Sequence, residues 1–181
     1  MLSLLNFSCR FALVAAVALL VGHAPTRLHA QAAANPADDT PKLEFVYEEV
    51  VTLGASVHPG ETPWGERNIV PITGGTFAGP NIKGKILPGG WDWQLASKSG
   101  CHQIKADYMI QTDDGVIINV LNRGTYCTGK GEKARPLLTE PVFEAPLGKY
   151  DWLNEGAYVG TLQGATVDGK PAVRIRFYKA R

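Results

Sequence analysis

The chain is poor in the residues that build metal centres and covalent-catalytic sites. Its 181 residues hold three cysteines and four histidines, and Cys9, His23 and His29 all fall in an N-terminal stretch that reads as a removable leader. Cys101, Cys127, His58 and His102 then remain, with no recognisable zinc spacing among them. No Ser-His-Asp or Cys-His set is apparent, which argues against hydrolytic covalent catalysis. No nucleotide motif or other cofactor signature occurs, so no cofactor is expected. Basic residues are not clustered: 18 Lys and Arg stand against 17 Asp and Glu, and nothing marks a nucleic-acid or anionic-membrane partner. Long apolar runs are missing too. The run from Phe11 to Gly22 falls short of the ~20 residues that a membrane span needs.

What that short run does fit is a secretory signal. Arg10 precedes it, Pro25 follows it, and small residues permit cleavage after Ala30 or Ala32. The chain therefore divides into a signal peptide over 1–30, a disordered leader over 31–41 ("QAAANPADDTP") and one domain over 42–181. Removal of Arg10 and Arg27 leaves 16 bases against 17 acids, a net charge of -1. Roughly 150 residues remain, enough for one hydrophobic core. The expected location is the periplasm or the medium, with no membrane insertion after cleavage.

Punctuation beyond the leader is that of an all-β protein. In "KLEFVYEEVVTLG", Leu43, Phe45 and Tyr47 alternate with Glu44, Val46 and Glu48; in "PAVRIRFYKAR", Val173, Ile175 and Phe177 alternate with Arg174, Arg176 and Tyr178. Gly and Pro recur too often for a helix of useful length, and short strands with turn signals predict a barrel or sandwich. The charged segment "TGKGEKARPLLTEP", residues 128–141, is long for a hairpin connection and reads as a loop or lid.

Two hairpins carry the finer argument. In "IQTDDGVII" a three-residue loop with Gly115 left-handed pairs Thr112 with Val116. Counted outward, Ile110 meets Ile118, Tyr108 meets Val120, and Cys101 meets Cys127, which predicts a cross-strand disulfide in an oxidising compartment. In "GGWDWQLASKSGCHQIKADY" a two-residue Ser99-Gly100 turn puts Trp91, Trp93 and Leu95 on the apolar face with Ile104, Ala106, Tyr108 and Ile110. Asp92 then lies opposite Asp107. Opposed like charges are destabilising. Three offsets are open: Lys105 and Arg123 on a wet face, a shared proton, or a ligand inside a barrel.

The stretches "ERNIVPITGGTFAGPNIKGKILPGGWDWQL", "ADYMIQTDDGVIINVLNRGTY", "PVFEAP" and "YDWLNEGAYVG" resemble the bacterial and fungal family catalogued as domain of unknown function 3237. The resemblance runs from about Leu43 to Tyr178 and is carried by Arg67, Asp92, Trp93, Tyr108, Trp152, Asn154 and a run of glycines. It implies a single compact antiparallel β-barrel, similar to the lipocalin and allene oxide cyclase barrels, and assigns no activity. At Asp107, where many relatives carry Arg, the chain departs from the pattern.

Together these readings predict an exported small-molecule-binding barrel whose cavity takes an apolar or aromatic ligand. Trp93 and Tyr108 are expected beside that ligand, with Asp92, Asp107 and Arg67 supplying polarity. The alternative is a cofactor-independent isomerase, cyclase or lyase with Asp92 and Asp107 as acid and base. Arg67 either anchors an anionic or carbonyl group through its fork of donors or pairs with Glu61 or Glu66. Glu144, Trp152 and Asn154 are further ligand-binding candidates: Glu144 is either an inward carboxylate or solvent-facing, and Trp152 and Asn154 also read as a plug at the barrel end. Exposed strand edges allow a homodimer.

Overall fold

The computed structural model describes residues 40–127 and 137–181. The expected signal peptide over 1–30, the expected leader up to residue 39 and residues 128–136 of the charged segment lie outside the described residues.

Ten strands follow one another: β1 (Leu43–Leu53), β2 (Val57–Thr62), β3 (Gly65–Ala78), β4 (Lys83–Ile86), β5 (Gly90–Ala96), β6 (Cys101–Thr112), β7 (Ile117–Cys127), β8 (Leu137–Glu144), β9 (Tyr158–Val167) and β10 (Lys170–Ala180). A 3-10 turn, Asp151–Asn154, sits between β8 and β9. The end of the charged segment is thus not loop: Leu137 to Glu140 begin β8. β1 and β2 lie end to end along β3, and β4 and β5 lie end to end between β3 and β6. The ten strands therefore occupy eight positions, all antiparallel to their neighbours. Because β1 pairs with β10 on one side and β3 on the other, the sheet closes into an up-and-down barrel.

Alternation decides what fills it. Tyr47, Phe77, Phe143, Tyr158 and Phe177 meet inside at one end, with Tyr47 and Phe177 rings 5.0 Å apart and Phe143 and Tyr158 rings 4.9 Å apart. Edge-on geometry of this kind adds to plain area burial. One expectation for β1 fails. The ladder to β10 shifts between Phe45 and Tyr47, so Val46 and Tyr47 are both buried while Leu43 and Phe45 stay exposed. An inserted residue reverses the facing of everything before it.

The β6–β7 hairpin has the predicted register throughout. Thr112 N–H donates to Val116 O at 2.9 Å, Gly115 takes φ 90°, and the disulfide joins Cys101 to Cys127 at the far end.

The β5–β6 hairpin does not. Ser97 N–H donates to Cys101 O at 2.8 Å and Gly100 has φ 83°, so Lys98, Ser99 and Gly100 form a loop one residue longer than expected. A one-residue change of register reverses every facing. Trp91 pairs with Asp107 and Asp92 with Ala106, which puts Asp92 inside and Asp107 outside. Trp91 and Trp93 are on the outer surface, 41% and 45% exposed. At the start of β5 the strands approach closely: a Cβ on Gly90 would lie 2.5 Å from Cβ of Tyr108, so no larger residue fits without moving that tyrosine.

Candidate functional site

Behind the aromatic end the barrel is not filled. A cavity of about 160 Å³ runs along the axis, walled by side chains from all eight strand positions and reaching the partly exposed Tyr126 near the disulfide. Its wall is mostly apolar, with Val51, Ile72, Leu162 and Ile175 among its members. The space has a local cause. Asp92, Ala106 and Asn122 occupy one row across β5, β6 and β7, so two polar side chains face inward with only a methyl group between them. Two strand spacings put their backbones about 10 Å apart.

Asn122 is fully buried, and among the described residues neither its amide nitrogen nor its amide oxygen has a hydrogen-bond partner. Buried side-chain amides are ordinarily satisfied, so an orphan of this kind calls for an explanation. Asp92, opposite, is held at both oxygens. Oδ2 accepts from Gln94 Nε2 at 2.8 Å, and Oδ1 accepts the Lys105 backbone N–H at 3.1 Å. Gln94 is itself oriented by Asn68, whose Nδ2 donates to Gln94 Oε1 at 2.8 Å. Burial raises the Asp92 pKa, and the two hydrogen bonds only partly oppose it. The carboxyl thus keeps a proton to higher pH than an exposed aspartate.

A second acid lies deeper. Glu49 on β1 is 1% exposed, and its carboxyl accepts a 2.5 Å hydrogen bond from Tyr108 Oη at Oε1 while Oε2 has no partner. Burial pushes Glu49 up from 4.5 to about 8, against the pull of the Tyr108 bond, so its neutral form is favoured in the folded barrel. Burial, with Glu49 nearby, also raises the Tyr108 and Tyr47 phenols well above their usual range. The Tyr108 ring forms part of the cavity wall.

The residues expected at the site separate into three groups. Asp92 and Tyr108 face the cavity. Asp107, Trp93, Arg67 and Glu144 do not. Asp107 is exposed and accepts from Asn119 Nδ2 at 3.0 Å, so the carboxylate pair expected from the shorter turn is absent. Trp93 and Arg67 line a groove on the outside of the barrel, and Arg67 Nη1 donates to Gln94 O at 3.3 Å. Glu144 faces solvent at the end of β8. Trp152 and Asn154, expected among the ligand-binding residues, lie on the 3-10 turn between β8 and β9. Asn154 makes two hydrogen bonds to the Ala145 backbone, at 2.8 and 2.9 Å, and Trp152 packs on the core while its carbonyl accepts from Tyr158 Oη and Lys179 Nζ. Neither reaches the cavity wall. Among the described residues no group of three or more His, Cys, Asp or Glu converges in a way that would hold a metal ion.

Glu49 and Asn122 were not singled out from the sequence, although the signal was there. Glu49 shares its side of β1 with Tyr47 and Val51, and Asn122 shares its side of β7 with Ile118 and Val120. A polar residue in a row of inward apolar ones is the readable mark of an interior site.

Comparison with known proteins gives a consistent picture. A family described as "Protein of unknown function (DUF3237)" matches residues 41–180. The chain is 34% identical over 139 residues to a UPF0311 protein of Rhodopseudomonas palustris, covering 67% of this chain and 89% of that one. It is similar to a beta-barrel like protein from Acinetobacter baumannii solved by crystallography, with a TM-score of 0.66, 31% identity and coverage of 78% of this chain and 97% of the other. It is also 30% identical over 121 residues to the hydroalkoxylation enzyme phnH of Penicillium herquei, covering 67% of this chain and 74% of that protein.

Proposed function

The chain belongs to the DUF3237 family, and from the interior of its barrel we propose that it binds a small, largely apolar molecule carrying one hydroxyl or carbonyl oxygen. The observation behind this reading is Asn122, buried with both amide atoms unpartnered in the wall of an apolar cavity. Leaving such groups unpaired costs on the order of 1–3 kcal/mol, which a ligand oxygen would offset. The volume of about 160 Å³ is close to the ~150 Å³ of an apolar cavity that admits benzene. One aromatic ring lying over Ala106 fits, with its oxygen on Asn122 or Asp92. The signal layout of residues 1–30 supports an exported protein, acting in the periplasm or outside the cell.

Calorimetric titration with phenol and toluene tests this directly, because the two differ by one hydroxyl. Phenol should bind at least about tenfold more tightly, the worth of one good hydrogen bond in a buried site. Asn122→Leu should remove that preference. Equal binding of the two compounds, or binding of neither, would sink the reading.

A second reading has its own support in the raised pKa of Asp92 at the cavity wall and in the name of the Penicillium relative. Hydroalkoxylation adds an O–H bond across a C=C bond. The protonated form of Asp92, which burial favours, would give its proton to one alkene carbon, the substrate's hydroxyl oxygen would bond to the other, and the hydroxyl proton would return to the Asp92 carboxylate. Atoms balance without a cofactor, and Asn122 would orient the hydroxyl. Ring closure of 2-allylphenol, followed by chromatography, is the assay. Asp92→Asn should keep phenol binding and lose turnover; turnover undiminished in that variant would exclude the mechanism, and none in the wild type would leave only the binding reading.

A further inference from the structure

We infer that the outer face of the barrel carries a second site, for a small aromatic anion, in the groove between β5 and β8. This groove holds about 580 Å³, within the range of sites for drug-sized molecules. Three cations line it, Arg67, Lys105 and Arg123, against one carboxylate, Glu140. Lys105 and Arg123 are direct cross-strand partners. Opposed like charges on one face of a sheet are destabilising unless something neutralises them. Among the described residues none of the three cations is in an ion pair. Glu140 is the cross-strand neighbour of Arg123, yet even counted in full it leaves the lining with an excess of two positive charges.

Charge alone would describe any wet basic patch; the walls add the rest. Trp93 is 45% exposed and Leu138 63% exposed, and both line the groove. A flat aromatic body has an indole face to stack on and an aliphatic side chain to cover it. A carboxylate on that body meets guanidinium forks from Arg67 and Arg123, whose planar donor geometry matches it. The groove and the interior cavity share only Ile104 among their lining residues: Asp92, Tyr108 and Asn122 face the axis, whereas Trp93, Lys105 and Arg123 face outward.

The test uses 2-naphthoate and its neutral near-isostere 2-acetylnaphthalene, titrated into the protein and followed by backbone amide shifts. The expected shifts centre on Trp93, Lys105, Arg123 and Leu138. Naphthoate affinity should fall by roughly tenfold in Arg123→Gln or Arg67→Gln, as for loss of a charge-assisted hydrogen bond, and should also fall as salt is raised. Asn122→Leu should leave it unchanged, so failure here and failure of the interior reading are separable. The inference is overturned if the neutral compound binds as tightly, if the two Arg variants bind like wild type, if Asn122→Leu abolishes binding, or if naphthoate does not bind.

Discussion

Replacing Glu49 by Gln should change how stability depends on pH more than it changes stability itself. In the unfolded chain this carboxyl titrates near 4.5, whereas burial keeps it protonated in the folded barrel to about pH 8. Between those values the folded state binds a proton that the unfolded state has released, so stability must fall as pH rises. At about 1.4 kcal/mol per pH unit, the loss through this one group is on the order of 5 kcal/mol from pH 4.5 to pH 8. That is a large fraction of the ~5–15 kcal/mol that holds a domain together. Glutamine keeps an acceptor for the Tyr108 hydroxyl, now bonded at 2.5 Å, and cannot ionise. Urea unfolding at pH 5, 6, 7 and 8, with the disulfide intact, should show the wild-type midpoint falling steadily while that of Glu49→Gln stays much flatter. Asp92, also raised by burial, tilts both proteins the same way. Parallel curves for the two proteins would refute the assignment of Glu49 as a buried neutral acid.

Three further outcomes follow from the same contacts. Replacing both Cys101 and Cys127 by Ser opens a link across 26 residues and should cost about 3.5 kcal/mol by loop-closure entropy; an unchanged unfolding midpoint would count against it. Ala106→Leu fills the gap between Asp92 and Asn122 and should abolish phenol binding while the protein still unfolds cooperatively; retained binding would place the ligand elsewhere. Hydrogen bonds from Lys149, Thr112 and Tyr150 hold the Asp114 carboxyl well below the usual range, so its stabilisation is present above the ordinary carboxylate pKa and is lost in acid. Asp114→Asn should therefore be less stable than wild type at neutral pH, with the difference shrinking below about pH 4; a constant difference down to pH 2 would contradict this.

The fold was legible because alternation and turns agree with each other. "IQTDDGVII" fixes one hairpin, and its register alone brings Cys101 to Cys127. The neighbouring hairpin shows the limit of that logic. Ser99-Gly100 is compatible with a two-residue or a three-residue loop, and the apolar alternation of Trp91, Trp93 and Leu95 favours the reading that points them inward. The loop length decides the facing: with Lys98, Ser99 and Gly100 in the turn, Trp91 and Trp93 go outside, and the interior beside β5 is left open. The same single-residue difference separated Asp92 from Asp107 and brought Asp92 to face Asn122 across Ala106. Glu49 escaped notice for a different reason: an acid beside another acid, Glu48, reads as surface charge until the pairing of β1 shows that only one of the two points outward.

The most direct measurement is the position of a bound ring. Crystals soaked in 4-bromophenol and measured at the bromine absorption edge report the halogen by its anomalous signal and the ring by its density. One ring is expected on the barrel axis over Ala106, with its hydroxyl on Asn122 or Asp92. Bromine only on the outer surface, or an axis left without density at saturating soak, would contradict it.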